Sequence, residues 1–148
     1  MYAPITKIIN NAMTIPVTIC DDSSFARKQI SRALPSSWDI DITYASNGIE
    51  GLEAIRAGKA EFLFLDLTMP ELDGFGVLEA LRREKLEPMV IVVSGDIQSE
   101  SQRRVHELGA LAFLKKPVDQ AELHNVLTNY GVIEREGGVA SEQAAPSV

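Results

Sequence analysis

Three aspartates stand at the ends of apolar runs. Asp66 closes Phe62-Leu63-Phe64-Leu65 and precedes Leu67-Thr68-Met69-Pro70, while Asp21-Asp22 closes Val17-Thr18-Ile19-Cys20. Short apolar runs bounded by polar residues read as buried strands, so each carboxylate falls at a strand's C-terminal edge. In open parallel α/β sheets that edge is where ligands bind. Three carboxylates in one crevice raise one another's pKa values and destabilise the fold unless a cation compensates them. An all-oxygen set suits a hard divalent ion, Mg²⁺ or Mn²⁺.

The remaining strand edges carry matching groups. Met89-Val90-Ile91-Val92-Val93 runs into Ser94-Gly95, and a run at 111–114 leads into Lys115-Lys116-Pro117. In phosphoryl transfer to a carboxylate each group has a task. Asp66 would attack phosphorus, a metal would offset charge on the phosphoryl oxygens, a lysine ammonium would pair with another oxygen, and the Ser94 hydroxyl would donate to a third. A single acid at a strand end can equally cap a helix or lie in solvent. A lysine and a serine at the same edge favour a site. Lys116 is preferred because it immediately precedes Pro117, and Lys115 is expected to be solvated.

The elements that must hold these groups alternate regularly. Strands are expected near 17–21, 40–44, 62–66, 89–93 and 111–114, and helices near 24–34, 48–57, 75–85, 99–108 and 119–130. Ser23 or Ser24 can cap the first helix, whose Ala26, Ile30, Ala33 and Leu34 share a face until Pro35. Asn47 with Glu50, and Asp119 with Glu122, have capping-box spacing, and Gly58 and Gly131 follow the ends of those helices. Asp73-Gly74 reads as a turn and helix cap, and Trp38 as edge packing before the second strand. Five βα units imply parallel strands joined by right-handed crossovers, with continuous apolar strands covered on both faces. The fold class is α/β, a three-layer (βα)5 doubly wound sandwich.

Residues 1–15 lack a clear period and contain a second methionine, Met13, so they read as an N-terminal extension, a short arm or a start-site artefact. Residues 16–131 form the domain. Residues 132–148, rich in Glu, Gly, Ala and Ser, read as a flexible tail or linker. With 21 acidic against 14 basic side chains and no Lys/Arg stripe, the expected partners are proteins and ions rather than nucleic acid. The single cysteine, Cys20, cannot form an internal disulfide and is expected as a small buried hydrophobe. No signal peptide is evident, and no run approaches the roughly 18 apolar residues of a membrane span, so no membrane association and a cytoplasmic location are expected. His106 and His124 lie on helices without a Cys/His cluster and are expected at the surface.

Asp21-Asp22-Ser23, Asp66-Leu67-Thr68-Met69-Pro70-Glu71-Leu72-Asp73-Gly74, Ser94-Gly95 and Lys116-Pro117, in that order and spacing, resemble the receiver domain of bacterial two-component response regulators. The likeness is greatest to stand-alone, chemotaxis-type (CheY-like) regulators, and it covers about residues 17–130. It implies a flavodoxin-like strand order 2-1-3-4-5. It further implies Asp66 as phosphoacceptor and Mg²⁺ held by Asp22, Asp66 and the Thr68 backbone carbonyl, with Asp21 acting largely through water. Lys116 would touch the phosphoryl group, Ser94 would be the switch hydroxyl, and Phe113 the switch aromatic, here without the phenolic hydroxyl of the common tyrosine. The Lys116–Pro117 bond is expected to be cis. Thr68 and Asp96 hold positions that tune phosphoryl lifetime in that family.

The same resemblance implies a sensor histidine kinase or phosphotransfer protein as donor, and a signal leaving through the fourth helix, fifth strand and fifth helix. The output would reach a separate downstream protein, or a domain beyond Val148. That face is also where a phosphorylation-dependent homodimer would form. Catalysis would be limited to the domain's own aspartate, so the chain is not read as an enzyme. Two alternatives stay open. An aspartyl-nucleophile phosphohydrolase usually carries a second acid two residues after the nucleophile, where this chain has Thr68. A degenerate receiver acting as a scaffold would not bind Mg²⁺.

Overall fold

The computed structural model describes residues 14–130. The assignments made for residues 1–13 and 131–148, including Gly131 as a helix stop, lie outside the described residues.

Five strands alternate with five helices: β1 (Ile15–Cys20), α1 (Ser24–Ala33), β2 (Ile40–Ala45), α2 (Gly48–Arg56), β3 (Phe62–Leu65), α3 (Gly74–Glu84), β4 (Met89–Ser94), α4 (Ser99–Glu107), β5 (Ala112–Lys115) and α5 (Gln120–Asn129). All pairings are parallel, in the order β2-β1-β3-β4-β5. This is the flavodoxin-like order, and its reversal between β1 and β3 opens the crevice at their C-terminal ends.

The period of two along the strands builds two cores. Phe62 and Phe64 join Val17, Ile19, Ile91, Val93 and Leu114 beneath α1 and α5, through Ile30, Leu34, Leu123 and Leu127. Leu63 and Leu65 point the other way, with Val90 and Val92, against Leu52 and Ile55 of α2, Val77, Leu78 and Leu81 of α3, and Val105 of α4. Each such buried side chain contributes roughly 2 kcal/mol. Trp38 is half-buried and packs against the margin of the first core, with its ring 5.3 Å from that of Phe62.

Helix starts follow the capping residues. The side chains of Ser23, Asn47, Asp73 and Asp119 accept from the backbone N–H groups of Ala26, Glu50, Gly76 and Glu122. The capping box at α2 is displaced by one residue, because Glu50 Oε1 accepts from the N–H of Ser46 instead of Asn47.

The first strand begins at Ile15, two residues before the expected 17 and within the span read as an extension. Ile15 is buried, its N–H donates to Asp39 O, and it pairs with Ile40. Pro16 follows it, and a proline within a strand weakens the sequence signal for one.

Candidate functional site

Register brings the acidic residues together. Cys20 pairs with Leu65 on one side and Ala45 on the other, so Asp21 and Asp66 leave neighbouring strands at the same level. Backbone bonds continue past the strand ends: Asp66 N–H donates to Cys20 O at 3.0 Å, and Asp21 N–H to Ala45 O at 2.9 Å. Across the sheet Ser94 pairs with Lys115, and Lys116 N–H donates to Ser94 O at 2.9 Å. The next side chain is then that of Lys116, which reaches over the edge toward the carboxylates.

Lys116 Nζ lies 2.8 Å from Asp21 Oδ2 and 3.5 Å from Asp66 Oδ2. Asp21 and Asp66 are both buried, whereas Asp22 is exposed at the crevice rim. Burial raises the Asp66 carboxyl, and the charge of Asp21 adds to it. Lys116 and the N–H groups of Leu67 and Thr68 oppose both, leaving Asp66 pushed up to about 6. Burial alone would lower the Lys116 ammonium, but Asp21 and Asp66 outweigh it and hold it above the usual lysine range.

Oxygen atoms of Asp21, Asp22 and Asp66 lie within 4.8 Å of one another, a spacing that one oxygen-seeking cation can bridge. Asp21 Oδ2 is buried, and among the described residues the Lys116 ammonium at 2.8 Å is its one close partner. A buried carboxylate oxygen left in that condition fits a metal ligand or the neighbour of a metal-bound water.

Two flanking groups hold the acidic loop. Arg27 of α1 donates from Nη1 to the backbone carbonyl of Asp21 at 2.7 Å, with its guanidinium 6.0 Å from the Tyr44 ring centre. Gly74 opens α3 against the other side, where a Cβ would collide with the backbone carbonyl oxygen of Asp66 and lie 2.8 Å from Leu67 Cα. Sequence reading singled out neither contact. Arg27 is one of several helix cations and Gly74 sits at an ordinary cap, so only tertiary placement reveals them.

The other sequence-predicted residues fall as follows. Thr68 is exposed just past Asp66, and Lys115 is exposed. Ser94 is buried, with its Oγ accepting the Asp96 N–H at 3.1 Å. Phe113 is half-buried, packed against the core that contains Val92, its partner in register. The Lys116–Pro117 bond is cis. Asp73 caps α3, and His106 and His124 are exposed. Cys20 is buried, its thiol pushed up to about 12 by burial first and by the neighbouring acids second. Among the described residues no helix is long and apolar enough to cross a membrane.

Residues 17–128 match the family described as the response regulator receiver domain. A protein-glutamate methylesterase/protein-glutamine glutaminase of Geobacter sulfurreducens is 38% identical over 104 residues, which is 70% of this chain and 28% of that protein. An uncharacterised response regulatory protein of Vibrio cholerae is 35% identical over 106 residues, 71% of this chain and 44% of that one. The chain thus spans less than half the length of these curated relatives. Among solved structures, CheY in the CheX–CheY–BeF3–Mg²⁺ complex of Borrelia burgdorferi superposes with a TM-score of 0.75 at 25% identity, covering 84% of this chain and 95% of that one. The receiver domain of NarL from Mycobacterium tuberculosis gives 0.70 at 27% identity, covering 79% and 95%. Sheet order, crevice and sequence match agree, and the chain belongs to the response regulator receiver domain family of two-component signalling.

Proposed function

We propose that this chain is a phosphorylation-activated switch that accepts a phosphoryl group on Asp66 from a sensor histidine kinase or a phosphotransfer protein. The observation that carries it is the meeting of Asp21, Asp22, Asp66 and Lys116 at one sheet edge, with a reactive carboxylate buried beside a lysine ammonium. An Asp66 Oδ attacks phosphorus, a new P–O bond forms, and the P–N bond of a phosphohistidine breaks as the imidazole leaves and takes up a proton.

Asp21, Asp22, Asp66 and the Thr68 carbonyl would hold Mg²⁺ or Mn²⁺, which supplies positive charge against the phosphoryl oxygens when bound. Lys116 gives up part of its pairing with Asp21 to meet a phosphoryl oxygen. Ser94 donates its hydroxyl to another. Phe113 then packs inward, and the altered surface is that of α4, β5 and α5. Phosphorylation shifts a pre-existing equilibrium between two arrangements of that face.

The output goes to a downstream protein or to a second copy of the chain through that face, in the cytoplasm, with no membrane or nucleic acid engaged directly. The Borrelia burgdorferi CheY solved with CheX, BeF3 and Mg²⁺ supports a protein partner for a domain of this kind. The chemistry is confined to the domain's own aspartate, and no turnover of an external substrate is proposed.

Intact mass of the native chain and of Asp66→Ala, with and without a small acyl phosphate and Mg²⁺, tests the proposal. One added phosphoryl group that needs both Mg²⁺ and Asp66 is expected. A folded native protein that gains no mass would sink it and favour a phosphorylation-independent scaffold.

A further inference from the structure

Four of the five helices begin with a side-chain cap of their own, and α4 does not. Its N-cap residue, Gln98, makes no side-chain cap hydrogen bond. The work is done from two residues earlier by Asp96, whose Oδ1 accepts the Gln98 N–H at 3.2 Å and whose Oδ2 accepts the Ser101 hydroxyl at 2.7 Å. Ser101 is one of the few buried polar residues, on the inward face of α4 one turn before Val105. The Asp96 backbone N–H points the other way and donates to Ser94 Oγ at 3.1 Å. A continuous chain of hydrogen bonds therefore runs from the serine at the site edge, through one residue, to the first turn of α4.

We propose that Asp96 and Ser101 form a latch that holds Ser94 in its resting rotamer and couples its departure to α4. The inference rests on the reading above, in which Ser94 turns toward a phosphoryl group on Asp66. A side chain changes rotamer in steps of roughly 120°, so a turn about χ1 takes Oγ off the Asp96 amide and leaves that N–H without its partner. Asp96 is half-buried, so its N–H then exchanges an internal partner for water or moves to find another, and its carboxylate is tied to Gln98 and Ser101. Either the latch resists the turn, or it breaks and frees the start of α4. Asp96 and Ser101 are thus positioning residues acting through Ser94, and they lie on the helix assigned to output.

The latch is tested with Ser101→Ala, which removes the donor, Ser101→Thr, which keeps it, and Asp96→Ala as a second way to break the chain. In metal-free protein the amide of residue 96 is expected to exchange about 2- to 10-fold faster in Ser101→Ala than in the native chain, with Ser101→Thr near native. Uptake of a phosphoryl group from a small acyl phosphate with Mg²⁺, followed by intact mass, is expected to quicken by a similar factor in Ser101→Ala and Asp96→Ala. That gain should vanish when Ser94→Ala is added, a dependence that simple loosening of α4 would not produce. Unchanged exchange in Ser101→Ala overturns the latch, and so does a gain in uptake that survives Ser94→Ala. If the native chain takes up no phosphoryl group, the proposed function falls, and the exchange measurement alone decides the latch.

Discussion

Lys116 is paired with Asp21 more closely than with Asp66, at 2.8 Å against 3.5 Å. The lysine therefore compensates the more deeply placed carboxylate, and the one proposed to react is less fully compensated. Removing the ammonium leaves two buried carboxylates facing each other, so Lys116→Met is expected to cost about 3 kcal/mol of stability in the presence of a chelator. A cation that binds only the folded chain restores stability by mass action, and millimolar Mg²⁺ should recover much of that loss. Urea unfolding with chelator and with Mg²⁺ measures both. A lack of any stabilisation by Mg²⁺ in either chain would show that the carboxylates do not share a metal, and a deficit of the same size under the two conditions would show that Lys116 does not oppose metal binding.

The pH dependence of stability has a definite sign. With its folded pKa raised from 3.8 to about 6, Asp66 binds a proton more tightly in the folded than in the unfolded chain. Its contribution in metal-free protein is most favourable below pH 4, falls as pH rises toward 6, and is level above. The tighter hold on the proton in the folded chain corresponds to about 3 kcal/mol. Asp66→Asn, which stays neutral, should be more stable than native at pH 7 by up to that amount, with the advantage disappearing toward pH 4. Mg²⁺ affinity of the native chain should climb with pH and level off above 6 as the proton leaves. A native chain more stable than Asp66→Asn at pH 7 without metal would contradict the burial assigned to Asp66.

Two glycines at the site edges should respond very differently to a methyl group. At Gly74 the added Cβ meets backbone on the Asp66–Leu67 side, which cannot swing aside, so Gly74→Ala should cost about 2 kcal/mol or more and lower Mg²⁺ affinity by displacing the loop. At Gly95, next to Ser94, a Cβ meets nothing within 4 Å, and Gly95→Ala should stay within about 0.5 kcal/mol of native. Equal effects at the two positions would mean that the β3–α3 loop yields more readily than its packing suggests.

Much of this site was legible because its signals are local. Asp21, Asp66 and Ser94 each follow or end a short apolar run, and parallel pairing follows from strict βα alternation, whereas the strand order is implied only by the resemblance to receiver domains. The cap residues Ser23, Asn47, Asp73 and Asp119 bond within three residues of themselves, a distance over which sequence pattern carries geometry. What could not be read depends on contacts between distant segments. The pairing of Lys116 with Asp21 spans most of the chain, as does the choice of Asp21 over Asp66 as the nearer partner. The bond from Arg27 to the Asp21 carbonyl needs the helix and loop already in place. Asp96 is marked by the resemblance as a position that tunes phosphoryl lifetime, but nothing in the sequence indicates that its carboxylate is engaged by Gln98 and Ser101. Pro16 concealed the true start of β1 because its cost to a strand is visible in sequence, whereas the pairing of Ile15 with Ile40 is not.

The loop that carries Thr68 toward Gly74 contains one conformation that side chains rarely adopt. Glu71 has φ of 73°, and the N–H of Leu72 donates to Pro70 O at 2.7 Å across it, closing a three-residue turn. The Glu71 side chain is exposed, so little packing offsets the backbone strain. Glycine occupies this region without the Cβ penalty, and Glu71→Gly is expected to stabilise the protein by about 1 kcal/mol, seen as a higher urea midpoint at unchanged slope. A β-branched residue suffers most there, and Glu71→Val should destabilise by about the same amount or more. If both substitutions destabilise equally, the Glu71 side chain holds the turn through an interaction of its own, and its carboxylate rather than its backbone would be the group to pursue.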